Sequence, residues 1–324
     1  MVKAVQITQP GGPEVLQMRE VELPKPGPGE VIVRHHAIGL NFVDVYHRIG
    51  LYKQPSYPAP LGGEAAGVVE AVGPRVKEFK PGDRVAYGNS PLGAYAEARV
   101  IPAHRLIKLP KEIDFNTAAA MMLKGLTVQY LLRRVHKLKK GETVLLHAAA
   151  GGIGLIFCQW AKLLGANVIG VVSSEEKAKL AKAHGCKHPV VSSREDFVEV
   201  AKKLTKGEGV PVVYDSVGKD TFMRSLDCLR PFGLMVTFGN ASGPVPPLEL
   251  GILAAKGSLF VTRPTLNTYA AKREDLVASA RDLFRAVKSG VKIRVNQTYR
   301  LSDAAQAHRD LEARRTTGST VLIP

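Results

Sequence analysis

The chain has 324 residues, 45% of them hydrophobic and 23% charged, which is typical of a globular protein long enough to form two domains. Its apolar runs are shorter than the ~20 residues that cross a bilayer, and its polar start is unlike a signal peptide, so we expect a cytoplasmic protein without a membrane span. The formal net charge of +16 favours anionic partners such as phosphorylated cofactors, although the basic residues are spread along the chain in short groups.

The first part of the chain, to about Met122, contains short β-like runs at 31–34, 66–72 and 84–87, separated by turns rich in glycine and proline. This pattern predicts a β-rich domain with irregular connections. From Thr143 onward, predicted strands at 143–147, 168–172, 212–215 and 234–238 alternate with helices that begin near residues 154, 175, 195 and 221. Such alternation predicts an α/β domain with a doubly wound parallel sheet and right-handed crossovers.

The last part of the chain contains a predicted amphipathic helix at 273–289, a shorter helix at 302–312 and a final strand at 320–323. So little chain surrounds this strand that it has no sheet of its own. We therefore expect it to return to the sheet of the first domain.

A glycine-rich turn lies between the predicted strand 143–147 and the helix that follows it. Its pattern, Ala148-x-x-Gly151-x-x-Gly154, is a variant of the dinucleotide-binding motif in which alanine replaces the first glycine. Gly151, Gly152 and Ile153 would bring backbone N–H groups to a pyrophosphate at the helix N-terminus, and Gly154 would allow close packing of helix and strand. The alternative interpretation is a tight turn with a structural role only.

The end of the second predicted strand bears on the choice between NADH and NADPH. An NAD site has Asp or Glu at this point to bind the ribose 2′-hydroxyl, whereas this chain has Ser173-Ser174 followed by Lys177. Small hydroxyls leave room for the 2′-phosphate of NADPH, and Lys177 could balance its charge. An ordinary helix cap explains the same residues, and both roles are compatible if Ser174 caps the helix while Ser173 faces the phosphate.

Several motifs in one order closely resemble the bacterial NADPH:quinone oxidoreductases, which are relatives of ζ-crystallin. They include Asn41-Phe42-Val43-Asp44, Gly62-Gly63-Glu64-Ala65-Ala66-Gly67, Leu123-Lys124-Gly125-Leu126-Thr127, Tyr214-Asp215-Ser216-Val217-Gly218 and Phe238-Gly239-Asn240. The resemblance implies a GroES-like catalytic domain at 1–124, an NADPH-binding Rossmann domain at 125–264 and a C-terminal segment at 265–324 that completes the first domain. It also implies a homodimer, for which the apolar run 258–261 offers a sheet edge.

The resemblance further implies the residues of the site. The cofactor-binding residues would be Phe42, Val43, Asp44, Thr127, Tyr130, Gly151, Gly152, Ile153, Ser173, Ser174, Lys177, Val217, Phe238, Gly239 and Arg263, and the catalytic residues Asn41, Tyr46 and Tyr52. One departure concerns residue 192, where this chain has serine and the bacterial quinone reductases have tyrosine. A stacking contact to the adenosine is therefore expected to be missing.

Zinc is not expected, because the positions that bind it in related alcohol dehydrogenases hold Asn41 instead of cysteine and Gly63 instead of histidine. The three cysteines, Cys158, Cys186 and Cys228, have no paired spacing and are expected to be buried thiols.

A quinone is an electrophile that needs no metal to accept electrons, and it is the predicted substrate. Tyr46 and Tyr52 could donate hydrogen bonds to a quinone oxygen while Asn41 fixes the geometry, although Tyr52 could equally well only pack the loop. Reduction of an enone or alkenal double bond is the alternative function. RNA binding is a less favoured second activity, because no RNA-recognition motif accompanies the positive charge.

Overall fold

The structure is a computed structural model that describes residues 1–89 and 91–324. By its internal contacts the chain divides into two compact units. The first unit comprises Met1–Leu126, Ala270–Phe284 and Ile293–Pro324, and the second comprises Thr127–Tyr269 and Arg285–Lys292. Within the described part of the chain, no helix has both the length and the apolar character that a membrane crossing requires.

The helices and strands up to residue 130 are β1 (Val2–Ile7), β2 (Leu16–Val21), β3 (Glu30–Leu40), α1 (Phe42–Arg48), β4 (Ala59–Pro60), β5 (Glu64–Val72), β6 (Arg84–Gly88), β7 (Ala98–Pro102), β8 (Ile107–Lys108) and α2 (Phe115–Tyr130). Those from residue 143 to 269 are β9 (Thr143–His147), α3 (Gly152–Leu163), β10 (Asn167–Val172), α4 (Glu175–Ala183), β11 (His188–Val191), α5 (Phe197–Leu204), β12 (Val210–Asp215), α6 (Phe222–Leu226), β13 (Leu229–Thr237), α7 (Gly251–Ala255), β14 (Phe260–Thr262) and α8 (Leu266–Tyr269). The remainder are α9 (Arg273–Lys288), β15 (Val295–Arg300), α10 (Ala304–Glu312) and β16 (Ser319–Ile323).

The first unit is built on a sheet in the order β15-β16-β3-β5-β6-β8, with β7 also paired to β3, and a smaller sheet in the order β2-β1-β4. The final strand β16 runs antiparallel to β3, where Thr320 pairs with Leu40. This pairing confirms the expectation that the last strand returns to the first domain. Buried aliphatic side chains such as Ile38, Leu61 and Ile101 form the core of this unit.

The second unit contains a parallel sheet in the order β11-β10-β9-β12-β13-β14. In chain order this is 3-2-1-4-5-6, the arrangement of the doubly wound dinucleotide-binding fold, so the predicted fold class is confirmed. Because parallel strands all point the same way, the turns that follow β9, β10, β12 and β13 lie along one edge of the sheet. That edge is where ligands bind in folds of this kind.

Two elements differ from the sequence-based expectation. The 16-residue helix α2 begins at Phe115, inside the part of the chain predicted to be β-rich. The strand β15 was not predicted at all, because its side chains alternate between partly buried and exposed and none of its residues is fully buried. It forms because β16 offers it a parallel partner.

Candidate functional site

The turn between β9 and α3 has the features of an anion-binding site. Gly151 is the N-cap of α3 and has an extended backbone, with φ −77° and ψ 175°. Since glycine has no side chain that could cap the helix, the first-turn N–H groups of α3 remain available to a ligand. The positive end of the helix dipole lies at the same point, so the turn suits a pyrophosphate.

Gly154 and Ala148 show how closely the helix approaches the strand. A Cβ atom on Gly154 would lie 2.4 Å from the Ala148 carbonyl oxygen and 2.5 Å from the Ala149 carbonyl carbon, so only glycine fits here. This confirms the expected close packing. Ala148, which replaces the first glycine of the motif, has a φ of 56° in the left-handed region that glycine adopts without strain. Ala148 thus adopts the backbone conformation that favours glycine at this position of the motif.

Ser173, Ser174 and Lys177 lie together after β10. The Ser174 hydroxyl accepts a hydrogen bond from the Lys177 backbone N–H at 3.3 Å, so Ser174 caps α4 as predicted. The Lys177 ammonium donates to the exposed Ser173 hydroxyl, also at 3.3 Å. A hydroxyl and a cation therefore stand at the end of the second strand, where an NAD site would place an acidic residue.

The neighbouring turn after β11 adds two further residues. The Ser192 hydroxyl donates to the Val172 carbonyl oxygen at 3.1 Å, which places residue 192 beside the end of β10. Arg194 forms an exposed ion pair with Glu175 in the first turn of α4. Sequence reasoning missed Arg194, because its contact joins two turns that are 19 residues apart.

The remaining predicted residues of the second unit fall into two groups. Val217, Phe238 and Gly239 follow the adjacent strands β12 and β13, and the Phe238 N–H donates to the Asp215 carbonyl oxygen at 2.8 Å. They therefore lie along the same sheet edge as the glycine-rich turn.

Tyr130 belongs to the second group. Its ring stacks on Tyr269, with 4.7 Å between ring centroids. Burial raises its pKa, while a hydrogen bond from Thr127 and the nearby charge of Arg263 lower it in part. Thr127 and Arg263 thus both interact with Tyr130 in the folded unit.

In the first unit, Asn41 is held from two sides. It precedes α1, and its backbone N–H donates to the Asp44 Oδ2 atom at 2.8 Å. Its side-chain Nδ2 donates to Glu64 Oε2 at 2.8 Å and, more weakly, to the Gly39 carbonyl oxygen at 3.4 Å. Asn41 and Asp44 also form a capping box at the start of α1, in which the Asn41 side-chain oxygen faces the Asp44 backbone N–H. Because an amide oxygen has two lone pairs, it can accept one further hydrogen bond from a ligand.

Glu64 is a buried carboxylate with a buried cation as its partner. The Lys124 Nζ atom donates to Glu64 Oε2 at 2.9 Å, and the Leu123 N–H donates to Oε1 at 2.7 Å. The side chains of Lys124 and Glu64 are only 7% and 0% exposed. Sequence reasoning found both motifs but missed this pair, because 60 residues separate its members.

Asp44 belongs to a second buried network. Its Oδ2 atom also accepts from the Tyr95 hydroxyl at 3.1 Å, and Tyr95 contacts His308 Nε2 at 3.0 Å. His308 Nδ1 in turn lies 3.1 Å from Arg48 Nη1, while Arg48 forms a two-point ion pair with Glu312 at 2.7 and 2.8 Å. Burial raises the pKa of Asp44 to about 7 and lowers the pKa of His308 to about 3.

Three aromatic residues on α1 and the loop after it form a separate cluster. The ring of Tyr46 lies 5.5 Å from that of Tyr52, edge to face, and 5.9 Å from that of Phe42. Tyr46 is 6% exposed, and Tyr52 is partly buried. The structure therefore brings together the two predicted hydroxyl donors, and the ring of Tyr52 packs against Tyr46 and His47 of α1.

The histidines near Asn41 are engaged elsewhere. His35 Nδ1 lies 2.6 Å from the Ala96 carbonyl oxygen, and its Nε2 lies 2.9 Å from the Tyr87 hydroxyl. His36 stacks on Phe115. Over residues 1–89 and 91–324, no group of three or more His, Cys, Asp or Glu side chains is arranged to hold a metal ion.

Comparison with known proteins identifies matches over both units. Residues 27–111 match the family model described as "Alcohol dehydrogenase GroES-like domain", and residues 152–280 match "Zinc-binding dehydrogenase". The chain is 57% identical to a quinone oxidoreductase of Pseudomonas aeruginosa over 100% of both chains. It is 48% identical to a 2-haloacrylate reductase of a Burkholderia species, over 100% of this chain and 99% of that protein.

A solved structure also matches over nearly the whole chain. The crystal structure of Escherichia coli quinone oxidoreductase complexed with NADPH matches with a TM-score of 0.98 and 51% identity, over 99% of this chain and 100% of the other.

Proposed function

The chain belongs to the quinone oxidoreductase family of medium-chain dehydrogenases and reductases, and we propose that it uses NADPH to reduce quinones. The observation that carries this proposal is the combination of a glycine-rich turn at α3 with Ser173 and Lys177 at the end of β10. A relative with 51% identity is named as a quinone oxidoreductase complexed with NADPH, which supports the same cofactor here.

The residues of the second unit fit this cofactor. The turn at Gly151, Gly152 and Ile153 would hold the pyrophosphate through backbone N–H groups at the N-terminus of α3. Glycine at residue 151 keeps this turn open, because a Cβ there would lie 3.3 Å from the Ala148 carbonyl oxygen. Ser173, with the ammonium of Lys177 beside it, would bind the 2′-phosphate, and Ser174 would hold the N-terminus of α4 in place. The other proposed cofactor-binding residues of this unit are Thr127, Tyr130, Val217, Phe238, Gly239 and Arg263.

The proposed roles in the first unit follow from hydrogen-bonding capacity. When bound, NADPH supplies the reducing equivalents from its nicotinamide ring. Tyr46 and Tyr52 would donate hydrogen bonds to the quinone oxygens, on which negative charge develops during reduction. Asn41 would position a donor group with its acceptor oxygen. Phe42, Val43 and Asp44 would shape the surroundings of the nicotinamide, with the Asp44 carboxyl acting through Asn41 because it is fully buried.

We propose that the reaction is independent of zinc, although one matching family model has a zinc-binding name. The two positions that would supply soft ligands hold Asn41 and Gly63, and Asn41 is already bonded to Glu64. Elemental analysis of the purified protein is expected to find well under one zinc per chain. One zinc per chain, lost together with activity on chelation, would disprove the proposal.

A second candidate function is the reduction of an activated carbon–carbon double bond. It is favoured by the relative named as a 2-haloacrylate reductase, which is 48% identical over the full chain. Both functions use the same cofactor and differ in the shape and polarity of the acceptor site, which the fold alone does not determine.

A screen of NADPH oxidation separates the two functions. The acceptors would be 1,4-benzoquinone, 1,4-naphthoquinone, an enone, an alkenal and 2-chloroacrylate, each at the same concentration. We expect the highest kcat/KM with a quinone. A kcat/KM for 2-chloroacrylate or an enone that exceeds every quinone would replace the proposed function by the second one.

We further propose that the protein is a cytoplasmic homodimer. The strand β14 lies at the end of the parallel sheet, and its residues Phe260 and Val261 are 60% and 37% exposed. Phe232 is 73% exposed, so apolar surface accompanies the open strand edge. Light scattering is expected to give twice the chain mass at micromolar concentration, and a monomer mass would exclude the dimer.

A further inference from the structure

Two buried carboxyl groups hold Asn41, and their surroundings differ. Glu64 accepts hydrogen bonds from three donors, one of which is the ammonium of Lys124. Asp44 is equally buried, at 0% exposure, but its two donors are the neutral Asn41 N–H and the Tyr95 hydroxyl. Both donors bond to Oδ2, and no described residue bonds to Oδ1.

The direction of each hydrogen bond that leads to Asp44 can be assigned from chemistry alone. The guanidinium of Arg48 can only donate, so His308 Nδ1 must be the acceptor, and the neutral ring carries its proton on Nε2. The His308 Nε2–H then donates to the Tyr95 oxygen, and the Tyr95 O–H donates to Asp44 Oδ2. Because an arginine does not release a proton, this series of hydrogen bonds orients Tyr95 but cannot carry a proton from Glu312 to Asp44.

The cations around Asp44 are each paired with another carboxylate, and the charge of Lys124 lowers the pKa of Asp44 only in part. Lys124, on α2, pairs with Glu64 of β5, and Arg48, on α1, pairs with Glu312 of α10. His308 is neutral, and burial raises the pKa of Tyr95 well above its ordinary value. An ionised Asp44 would thus be a buried anion with one unpaired oxygen, next to a second anion at Glu64, and this is an expensive arrangement.

We propose that Asp44 is a positioning residue that works as a neutral acid: a proton on Oδ1 lets Oδ2 hold Asn41 and Tyr95 without placing a second negative charge beside the acceptor site. This inference rests on the proposed function, because it takes Asn41 to lie beside the reacting quinone. Quinone reduction builds negative charge on the quinone oxygens, and a neighbouring anion opposes that charge.

The predicted consequence is a fall in activity as Asp44 ionises. Burial raises the pKa of this carboxyl from 3.8 to about 7, so the loss is expected to begin near neutral pH. If only the protonated form is active, kcat should fall about tenfold per pH unit above the transition.

Replacement of the carboxyl by an amide tests the proposal. Asp44→Asn has the same shape as the protonated acid and carries no charge, so the pH profile of its kcat for quinone reduction should stay level from pH 6 to pH 9, whatever its absolute value. Tyr95→Phe removes a donor that stabilises the anion, so its transition should move to higher pH. Asp83→Asn, which alters an aspartate paired with Lys108 outside this network, should keep the wild-type profile. An Asp44→Asn profile that falls like the wild type would overturn the proposal.

A second readout does not depend on the reaction. Because the pKa of Asp44 is raised in the folded state, its contribution to stability is complete below pH 3.8 and is lost as the pH rises to about 7. The urea midpoint of the wild type should therefore fall relative to that of Asp44→Asn over this range and then stay constant. A constant difference between the two proteins would overturn the proposal, whereas absence of quinone reduction would overturn the proposed function and leave this test valid.

If Asp44→Asn does not fold, the protonation state of Asp44 can still be measured in the wild type. Infrared spectra recorded against pH with ¹³C-labelled aspartate should show a protonated carboxyl that is lost near pH 7. Loss of every protonated aspartate by pH 5 would contradict the inference.

Discussion

The turn at Gly151 and the network around Asp44 are built in opposite ways. The turn is formed by seven consecutive residues, 148–154, and no side chain caps the helix that begins there. The network joins Arg48, Tyr95 and His308 to Asp44. In it, the hydrogen bond that Tyr95 donates to Asp44 spans 51 residues of sequence, and the one that it accepts from His308 spans 213. One site therefore depends on local backbone shape, and the other depends on side chains that meet only in the folded protein.

This difference determines what each site can do. A backbone turn presents N–H groups whose protonation does not change with pH. Such a turn suits the binding of a phosphate over a wide range of pH. A buried side-chain network contains groups whose pKa values shift on folding, so it can respond to pH and is costly when one member is removed.

Loss of a member of the network should have the largest effect. Arg48 is 1% exposed and binds Glu312 at two points, so Arg48→Ala would leave a carboxylate and His308 without their partner. We expect the free energy of unfolding to fall by about 3–5 kcal/mol, as for other broken buried ion pairs. Urea denaturation measures this loss.

The matched control is Arg34→Ala, which breaks an exposed pair with Glu70 whose side chains are 48% and 43% exposed. This change should cost less than about 1 kcal/mol. Equal losses for Arg48→Ala and Arg34→Ala would mean that the buried network has no special energetic role.

Damage to the turn should come next. Gly154→Val would force a Cβ to within 2.4 Å of the Ala148 carbonyl oxygen, and the obstacle is backbone that cannot rotate away. We expect a loss of about 3 kcal/mol in stability and weaker NADPH binding. Gly251→Ala is the control, because no atom lies within 4 Å of its added Cβ and alanine favours the helix. A stable Gly154→Val protein with normal binding would contradict the close packing.

The contact at the end of β10 should have a smaller and selective effect. Lys177→Ala removes the ammonium beside Ser173, so NADPH should bind about ten- to a hundredfold more weakly, since a charge-assisted hydrogen bond contributes about 1.5–3 kcal/mol. NADH affinity should stay nearly constant. Calorimetric titration with both cofactors measures this, and Lys179→Ala, an exposed lysine of the same helix, is the control. Equal losses of affinity for NADPH and NADH would mean that Lys177 is only a surface residue of the helix and does not bind the 2′-phosphate.

The smallest effect should come from relief of strain in the turn. Ala148 has a φ of 56°, which costs alanine more than glycine, so Ala148→Gly should raise the unfolding free energy by about 0.5–1 kcal/mol. Ala150→Gly, in the same turn at a residue without a positive φ, should lower it by a similar amount. Destabilisation by both changes would show that the left-handed conformation at residue 148 is not strained.

The sequence contained enough information for most of the second unit. The predicted strand 143–147 coincides with β9, and the predicted capping role of Ser174 is confirmed by its bond to the Lys177 N–H. These features depend on neighbouring residues, so periodicity and capping preferences reveal them. The final strand was predicted for a related reason, because a lone apolar run needs a sheet elsewhere.

Much of the first unit could not be predicted in this way. Glu64 and Lys124 each belong to a recognisable motif, but neither motif indicates that the two side chains meet. Tyr95 and His308 lie in segments without any motif, and only the tertiary fold places them in line with Asp44. Strand β15 was missed because its polar residues give no apolar pattern and its pairing with β16 is a tertiary contact.

We propose that the cofactor choice of this NADPH-dependent quinone reductase depends on the end of β10. This dependence is tested most directly by kcat/KM for NADPH and NADH with one saturating quinone, in the wild type and in Ser173→Asp. We expect the wild type to prefer NADPH at least tenfold and Ser173→Asp to shift toward NADH, because a carboxylate repels the 2′-phosphate and accepts a hydrogen bond from the ribose 2′-hydroxyl. Equal use of both cofactors by the wild type, or no oxidation of NADPH by the quinone, would contradict this account.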